Sequence, residues 1–374
     1  MNILIFSWRG PGHPHAGGAE QATHEYAKGW IKAGHRVTLF TSDYPGCKPL
    51  EVIDGVIIIR RGSQILGVHL KAFFWYITER KEKFDLVIDQ FHGIPFFTPL
   101  FVRVKKLAFI HEVTKEIWRL NPLSFPFNLI PTIIGTFLEP FIFKFFYKNI
   151  PFMTGSNSTK KDLINWGIEE DKITIIPYGL DKSPLGKILT KEKKLTLIFL
   201  GALAKDKGVE EGLKAFALIN SKKKGVKFWI VGKGEEHYTN YLKIKSKELG
   251  LEKNIEFYGY VDKNKKYQLL AKAHILINPS FREGWSLVVM EAASVGTPTV
   301  GYDVPGLRDS IINNETGILS ANNPESLARK ALELMADTIE YEKLRKNCLK
   351  WSSQFNWEKS AGLSLKLIEK IVNI

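Results

Sequence analysis

Short apolar runs rich in β-branched and aromatic residues alternate along this chain with longer segments of helical periodicity, and the series runs through the sequence twice. The first series predicts strands at 3–7, 36–41, 56–60, 86–89, 107–110, 152–155 and 173–176, with helices at 19–33, 68–81, 131–148 and 158–166. The second begins at 195–201 and continues at 227–231, 255–258, 275–278, 299–301 and 317–319. A strand, a helix and another strand in succession must cross over and pair parallel, so the chain folds into parallel sheets covered by helices on both faces. Two series imply two doubly wound α/β domains. The Pro- and Gly-containing run 177–184 marks the junction, giving an N-terminal domain over 1–180 and a C-terminal one over 181–356. A final helix, 357–374, is expected to pack back on the first domain. Sheets of this kind bind ligands beyond the carboxyl ends of their strands, so the chemistry is sought on loops after strands and in an interdomain cleft.

At 374 residues, 44% hydrophobic and 25% charged, the chain is globular and long enough for two cores. Its 53 basic and 39 acidic residues leave +14, which favours anionic partners. Lysine clusters at 191–194, 222–224 and 263–266 fall between predicted elements and carry no nucleic-acid signature, so nucleic acid is not an expected partner. Cys47 and Cys348 are too few for a disulfide framework and fit a reducing cytosol. The first residues lack a basic leader and read as a buried strand. The stretch 123–147 stands apart because its only charges are Glu139 and Lys144. Pro126, Pro131 and Pro140 are expected to interrupt it, which argues against a spanning helix. Two readings stay open. One is an apolar helix on the cytoplasmic membrane face, with Phe125, Phe127, Phe141 and Phe145 toward lipid and Lys144 and Lys148 near phosphate; the other is a helix packed within the N-terminal domain. The expected location is cytoplasmic, with peripheral membrane contact on the first reading.

The loop 279–284 leads from the strand 275–278 into a helix predicted at 285–295. It sets Glu283 just before the helix and Glu291 about two turns inside it. Six or seven helical residues would separate the carboxylates by roughly 10 Å, about the reach from a sugar ring to the ribose of a nucleotide sugar. The amides of Gly284, Trp285, Ser286 and Leu287 lie between them, where a helix start favours negative charge. An isolated pair of glutamates at this spacing would be solvated surface; the strand, turn and helix in register give it meaning. The loop 10–20 also joins a strand to a helix, and its Gly17-Gly18 pair allows close approach to an anion. The loop 201–208 repeats the arrangement, with Lys207 as the candidate phosphate cation, and His111-Glu112 follows the strand 107–110. Taken singly, turn glycines, a solvated lysine and a packed histidine explain each of these more readily than a binding role does. Asp-x-Asp, phosphate-loop, serine-elbow and zinc spacings are all absent from the sequence, so no metal or other cofactor is expected.

In combination these stretches resemble the retaining, family-4 glycosyltransferases of the GT-B fold, glycosyl transferases group 1, over nearly the whole chain. The resemblance is carried by Gly17-Gly18-Ala19-Glu20, 156–163, 176–181, 201–208, 257–261 and 283–291, in that order. It implies two Rossmann-like domains, the C-terminal one gripping a nucleotide sugar and the N-terminal one presenting a sugar, glycan or lipid-linked acceptor. It further implies that Glu291 binds the ribose of a UDP- or GDP-sugar, while Glu283 and the amides of Trp285, Ser286 and Leu287 meet the donor sugar and diphosphate. Lys207 would neutralise the diphosphate, Tyr260 and Val261 flank the base, Gly18 touch phosphate and His111 face the sugar. The family is thought to retain configuration by front-face attack, a departing phosphate oxygen taking the acceptor's proton. A retaining hydrolase instead needs carboxyl groups about 5 to 5.5 Å apart. Ala202 stands where the family usually has Arg, and Tyr178 where it favours Asn. The alternatives are an epimerase or hydrolase of the same fold, or a weakly catalytic nucleotide-sugar-binding subunit supporting a partner enzyme.

Overall fold

A computed structural model describes all residues except 65, 81, 92, 122–127, 187–188 and 374. The chain divides into two compact units, Met1–Gly179 with Asn356–Ile374, and Leu180–Phe355. The first contains β1 (Asn2–Ser7), β2 (Arg36–Thr41), β3 (Leu50–Ile53), β4 (Val56–Arg60), β5 (Leu86–Phe91), β6 (Lys105–Ile110), β7 (Phe152–Thr154) and β8 (Ile173–Ile175). They form one sheet in the order β3-β4-β2-β1-β5-β6-β7-β8. Ile5 in β1 lies opposite Leu39 and Ile88 in its two neighbours, and all three are buried, as a strand covered on both faces requires. Its helices are α1 (Gly18–Lys32), α2 (Leu66–Phe74), α3 (Thr98–Phe101), α4 (Leu129–Ile142) and α5 (Asn157–Asn165).

The second unit orders its strands β11-β10-β9-β12-β13-β14, where β9 is Thr196–Leu200, β10 Lys227–Val231, β11 Ile255–Gly259, β12 Ile275–Asn278, β13 Thr299–Tyr302 and β14 Gly317–Ser320. Every pairing in this sheet is parallel. Its helices are α6 (Val209–Lys222), α7 (Glu236–Glu248), α8 (Lys263–Lys272), α9 (Leu287–Ala293), α10 (Leu307–Ser310), α11 (Pro324–Ala336) and α12 (Thr338–Ser352). The chain then re-enters the first unit as α13 (Trp357–Asn373), where Trp30 of α1 donates its indole N–H to Ser364 at 2.9 Å.

Three elements differ from the sequence reading. The edge strand β3 was not anticipated; it pairs antiparallel with β4 through Asp54-Gly55, both at positive φ, the hairpin turn that an Asp-Gly pair favours. Leu50 and Val52 on it are exposed, so no buried run announces it. The prolines do not interrupt the apolar stretch: Leu129–Ile142 is one helix that continues as π-helical Phe143–Tyr147. Pro131 sits in the first turn, where its missing N–H has no partner to lose, and three residues beyond Pro140 the helix widens. Pro126, Phe125 and Phe127 lie outside the described residues. Third, α9 starts at Leu287 and not at Trp285, because Ser286 adopts a left-handed backbone (φ 60, ψ 82) that no α-helix contains.

Candidate active site

The order of strands in the second unit reverses between β9 and β12, since β10 and β11 lie to one side and β13 and β14 to the other. That is the switch point at which doubly wound sheets bind ligands. The loops leaving β9 and β12 carry Lys207 and Glu283 respectively. Lys207 Nζ donates to Glu283 Oε1 at 3.1 Å, and the Ser280 hydroxyl donates to the same oxygen at 2.8 Å. Phe281 N donates to Asp206 O at 2.9 Å, which joins the two loops through their backbones.

Glycines permit this approach. Gly208 ends the first loop at φ +65, and a Cβ there would overlap the Pro279 carbonyl. Gly306, at φ +81, would strike the Glu283 carbonyl in the same way, and Glu283 N donates to Pro305 O at 3.1 Å. Glu283 is thereby held from both sides. Arg282 beside it is 2% exposed, a buried charge that the sequence did not single out.

Glu291 belongs to a separate cluster. The short α9 leaves only four residues of helix before it, about 6 Å of rise, so most of the path back to Glu283 is loop. Its side chain is buried and takes an ion pair from Lys266 of α8 at 2.5 Å. Burial raises its carboxyl pKa, and Lys266 opposes that shift. Alongside, Lys263 pairs with Asp181 at 2.7 Å. Asn278 at the end of β12 donates from Nδ2 to Ser286 Oγ at 3.3 Å, steadying the strained turn. Gly284 and Leu287 are half-buried, while the Trp285 indole packs inward on Phe355, ring centroids 5.4 Å apart, so only its backbone remains for a ligand. Tyr260 and Val261 follow β11, two strands away from β9. Tyr260 is exposed, with Lys233 Nζ 5.7 Å from its ring centroid, and Val261 packs against the core. Lys233 stands beside Ala202, since Leu203 N donates to its carbonyl at 2.8 Å.

In the first unit, Gly18 is the exposed first residue of α1. The preceding amide is occupied: Gly17 N donates to Glu20 Oε2 at 2.6 Å, and Arg9 pairs with Glu20 Oε1 at 2.9 Å. His111 follows β6 and is 4% exposed. Its Nδ1 meets the hydroxyl of buried Tyr178, whose phenol burial holds well above its usual pKa. A protonated phenol donating to Nδ1 leaves the imidazole proton on Nε2. Sequence reasoning registered Tyr178 only as a departure; the structure makes it the group that orients His111. Among the described residues no three His, Cys, Asp or Glu side chains are gathered to hold a metal ion.

Comparison with known proteins decides the family. Residues 185–351 match the family described as Glycosyl transferases group 1, and residues 16–183 match Glycosyltransferase Family 4, so the two run almost end to end. The chain belongs to the family-4 glycosyltransferases. An uncharacterized glycosyltransferase of Methanocaldococcus jannaschii is 27% identical over 415 residues, covering 100% of this chain and 99% of that protein. Sucrose-phosphate synthase from Thermosynechococcus elongatus superposes with a TM-score of 0.78 at 19% identity, over 99% of this chain and 98% of the other. Anabaena HepE, solved in complex with UDP and glucose, gives 0.74 at 17% identity, over 99% and 100%. Both likenesses are of fold, and the fold of this glycosyltransferase is GT-B, built from two Rossmann-like units. Its activity is glycosyl transfer.

Proposed function

We propose that this glycosyltransferase moves a sugar from a UDP- or GDP-sugar to a hydroxyl of a sugar, glycan or lipid-linked acceptor, with retention of configuration and without a metal ion. The observation that carries the reading is the Lys207–Glu283 pair at the switch point of the second unit. When a donor enters, Lys207 exchanges a carboxylate for diphosphate oxygens, which its ammonium neutralises as the glycosidic bond breaks. Gly208 opens α6 directly behind it, and the helix start favours the same negative charge. Glu283, released, faces the developing positive charge on the donor sugar. Glu291, held as a carboxylate acceptor by Lys266, takes the ribose hydroxyls. The binding of UDP and glucose by HepE supports a nucleotide-sugar donor. On the acceptor side the proton leaves with the departing phosphate oxygen, so no separate base is needed, and His111 offers Nε2–H to a sugar hydroxyl. The amides of Gly284, Trp285, Ser286 and Leu287 complete the phosphate contacts of the second unit, with Tyr260 and Val261 at the base; Gly18 is the candidate phosphate contact of the first unit taken by itself.

A thermal-shift panel of nucleotide sugars in EDTA, on the parent and on Lys207→Ala, tests the donor site. One UDP- or GDP-sugar should raise the melting temperature of the parent, and the substitution should abolish the shift. NMR of the product's anomeric proton then reads configuration. No response to any nucleotide sugar sinks the reading, and donor turnover without acceptor favours a hydrolase or epimerase.

A further inference from the structure

Helix α4 and its π-helical continuation are inside out. Along the side turned to the sheet, at intervals of four, stand Gly135, Glu139, Phe143 and Tyr147, all buried. Two of these four are polar and hydrogen-bonded inward. Glu139 accepts from Thr114 N at 2.7 Å, Lys115 N at 3.0 Å and the Trp118 indole at 2.9 Å, and Tyr147 donates to buried Asp89 at 2.5 Å. The side turned to solvent carries Ile133, Ile134, Phe137, Leu138, Phe141 and Phe145, every one exposed, Phe137 at 73%. A helix in water ordinarily buries its apolar stripe and exposes its polar one; here the order is reversed over Leu129–Tyr147, which is long and apolar enough to cross a membrane yet buried only at those four positions. Glu139 ties it to the segment 114–118 that follows β6, and Tyr147 ties it to Asp89 of β5, so it is held against the first unit and not threaded through a membrane.

The apolar surface does not end with this helix. Phe146 meets Phe97 at the start of α3 at 5.9 Å, and Phe101 at the end of α3 meets Phe73 of α2 at 5.1 Å. Leu100 is exposed between them, and α2 and its π-helical extension Trp75–Glu79 add exposed Leu66, Leu70, Phe74 and Ile77. Soluble surfaces rarely carry contiguous apolar area of this extent without a partner. Unpaired acids are not added to the patch by its helices: Glu79, at the end of the extension of α2, is neutralised by Arg61 at 2.5 Å. On the helix Leu129–Tyr147 the one acid, Glu139, is buried, while Lys144 is exposed, as are Lys148 just beyond it and Lys71 on α2.

We propose that this face, built from α2, α3 and α4 with its extension, docks on the surface of an anionic lipid bilayer. The apolar side chains enter the acyl boundary while the lysines meet lipid phosphates. Resting on the glycosyltransferase reading, the docking selects a lipid-linked acceptor, because Glu139 holds the amides of Thr114 and Lys115, three and four residues beyond His111.

The test is co-sedimentation of the full chain, without donor, with vesicles of phosphatidylcholine alone or mixed with phosphatidylglycerol. The parent should pellet with the mixed vesicles and lose binding in high salt. Replacing Phe137, Phe141 and Phe145 by Ser should cut partitioning at least tenfold, and so should Leu70→Ser with Phe74→Ser on α2. Lys144→Glu with Lys148→Glu, which leaves the apolar side chains in place, should remove the preference for anionic vesicles. Absence of vesicle binding overturns the proposal, as does full binding by the α2 variant or a dimer in light scattering that the same serines disperse. Since donor takes no part, such failure leaves the transferase reading to its own thermal-shift test.

Discussion

Glu283 neutralises Lys207 at 3.1 Å, so on the proposed reading the lysine's contribution to the reaction is a difference between two anionic partners. On that reading, Lys207→Ala removes the cation that meets the diphosphate and should lower kcat/KM by roughly 10²–10³-fold, the loss typical of one preorganised donor to a developing anion; steady-state kinetics with unchanged circular dichroism checks it. On the proposed reading Glu291 serves the donor's ribose at a cost in stability. Its folded pKa is raised by burial, so the carboxylate favours the fold when protonated, and that stability is lost as pH rises from about 4.5 through the folded value. The melting temperature of Glu291→Gln minus that of the parent should therefore grow between acid and neutral pH, while KM for donor rises; a difference that shrinks with pH contradicts the assignment. Tyr178→Phe takes the hydroxyl from His111 Nδ1 and should cost about 1–3 kcal/mol in urea unfolding, as for other buried polar groups deprived of a partner. The sequence marked both glutamates by their spacing around a turn. It placed the lysine cluster 263–266 between elements, where the structure has α8 with Lys266 paired to Glu291, and it gave no role to Ser280 or Tyr178, since local pattern carries no record of side-chain pairing.

Strand signals were the most legible part of the fold. The ranges 36–41, 227–231 and 275–278 coincide with β2, β10 and β12, because strands buried on both faces have no choice but continuous apolar sequence, and 56–60 coincides with β4, whose residues alternate between buried and half-buried. Legibility fails where an element is exposed or strained. β3 hides because half its side chains face water, α9 starts late because of the Ser286 backbone, and the helix predicted at 131–148 runs through Pro140, which was expected to interrupt the stretch because proline rules describe the average helix interior. The loops at the switch point are constrained more tightly than their sequences reveal. Gly208 is required twice, for its positive φ and for the missing Cβ against Pro279, so Gly208→Ala should destabilise by about 1–3 kcal/mol and loosen Lys207 from Glu283. Gly186, at φ +63 with nothing within 4 Å among the described residues, is the control: alanine there meets only the backbone cost. Equal losses at the two positions in urea unfolding would show that contact with Pro279 does not matter.

At the scale of the molecule, net charge was a weak guide, because much of the lysine excess lies on helix surfaces beside glutamates, as in Lys214 with Glu210 and Glu211 or Lys330 with Glu333. The division of the chain is more informative. One unit is contiguous, Leu180–Phe355, and carries Lys207, Glu283 and Glu291 together, whereas the other is assembled from both ends of the chain. If the diphosphate end of the donor is recognised by these residues, a nucleoside diphosphate adds its binding free energy to the contiguous unit. At a hundred times its Kd that is about 2.7 kcal/mol, or roughly 5–10 °C for a unit of this size. Scanning calorimetry of the full chain with UDP and with GDP should therefore move one component of the unfolding profile upward while the other holds. Lys207→Ala should remove the movement without altering either transition in the absence of ligand by more than an ordinary surface substitution does. Movement confined to the component that persists when Gly208→Ala has lowered its partner would place the nucleotide in the other unit, and the assignment of Lys207, Glu283 and Glu291 would fall with it.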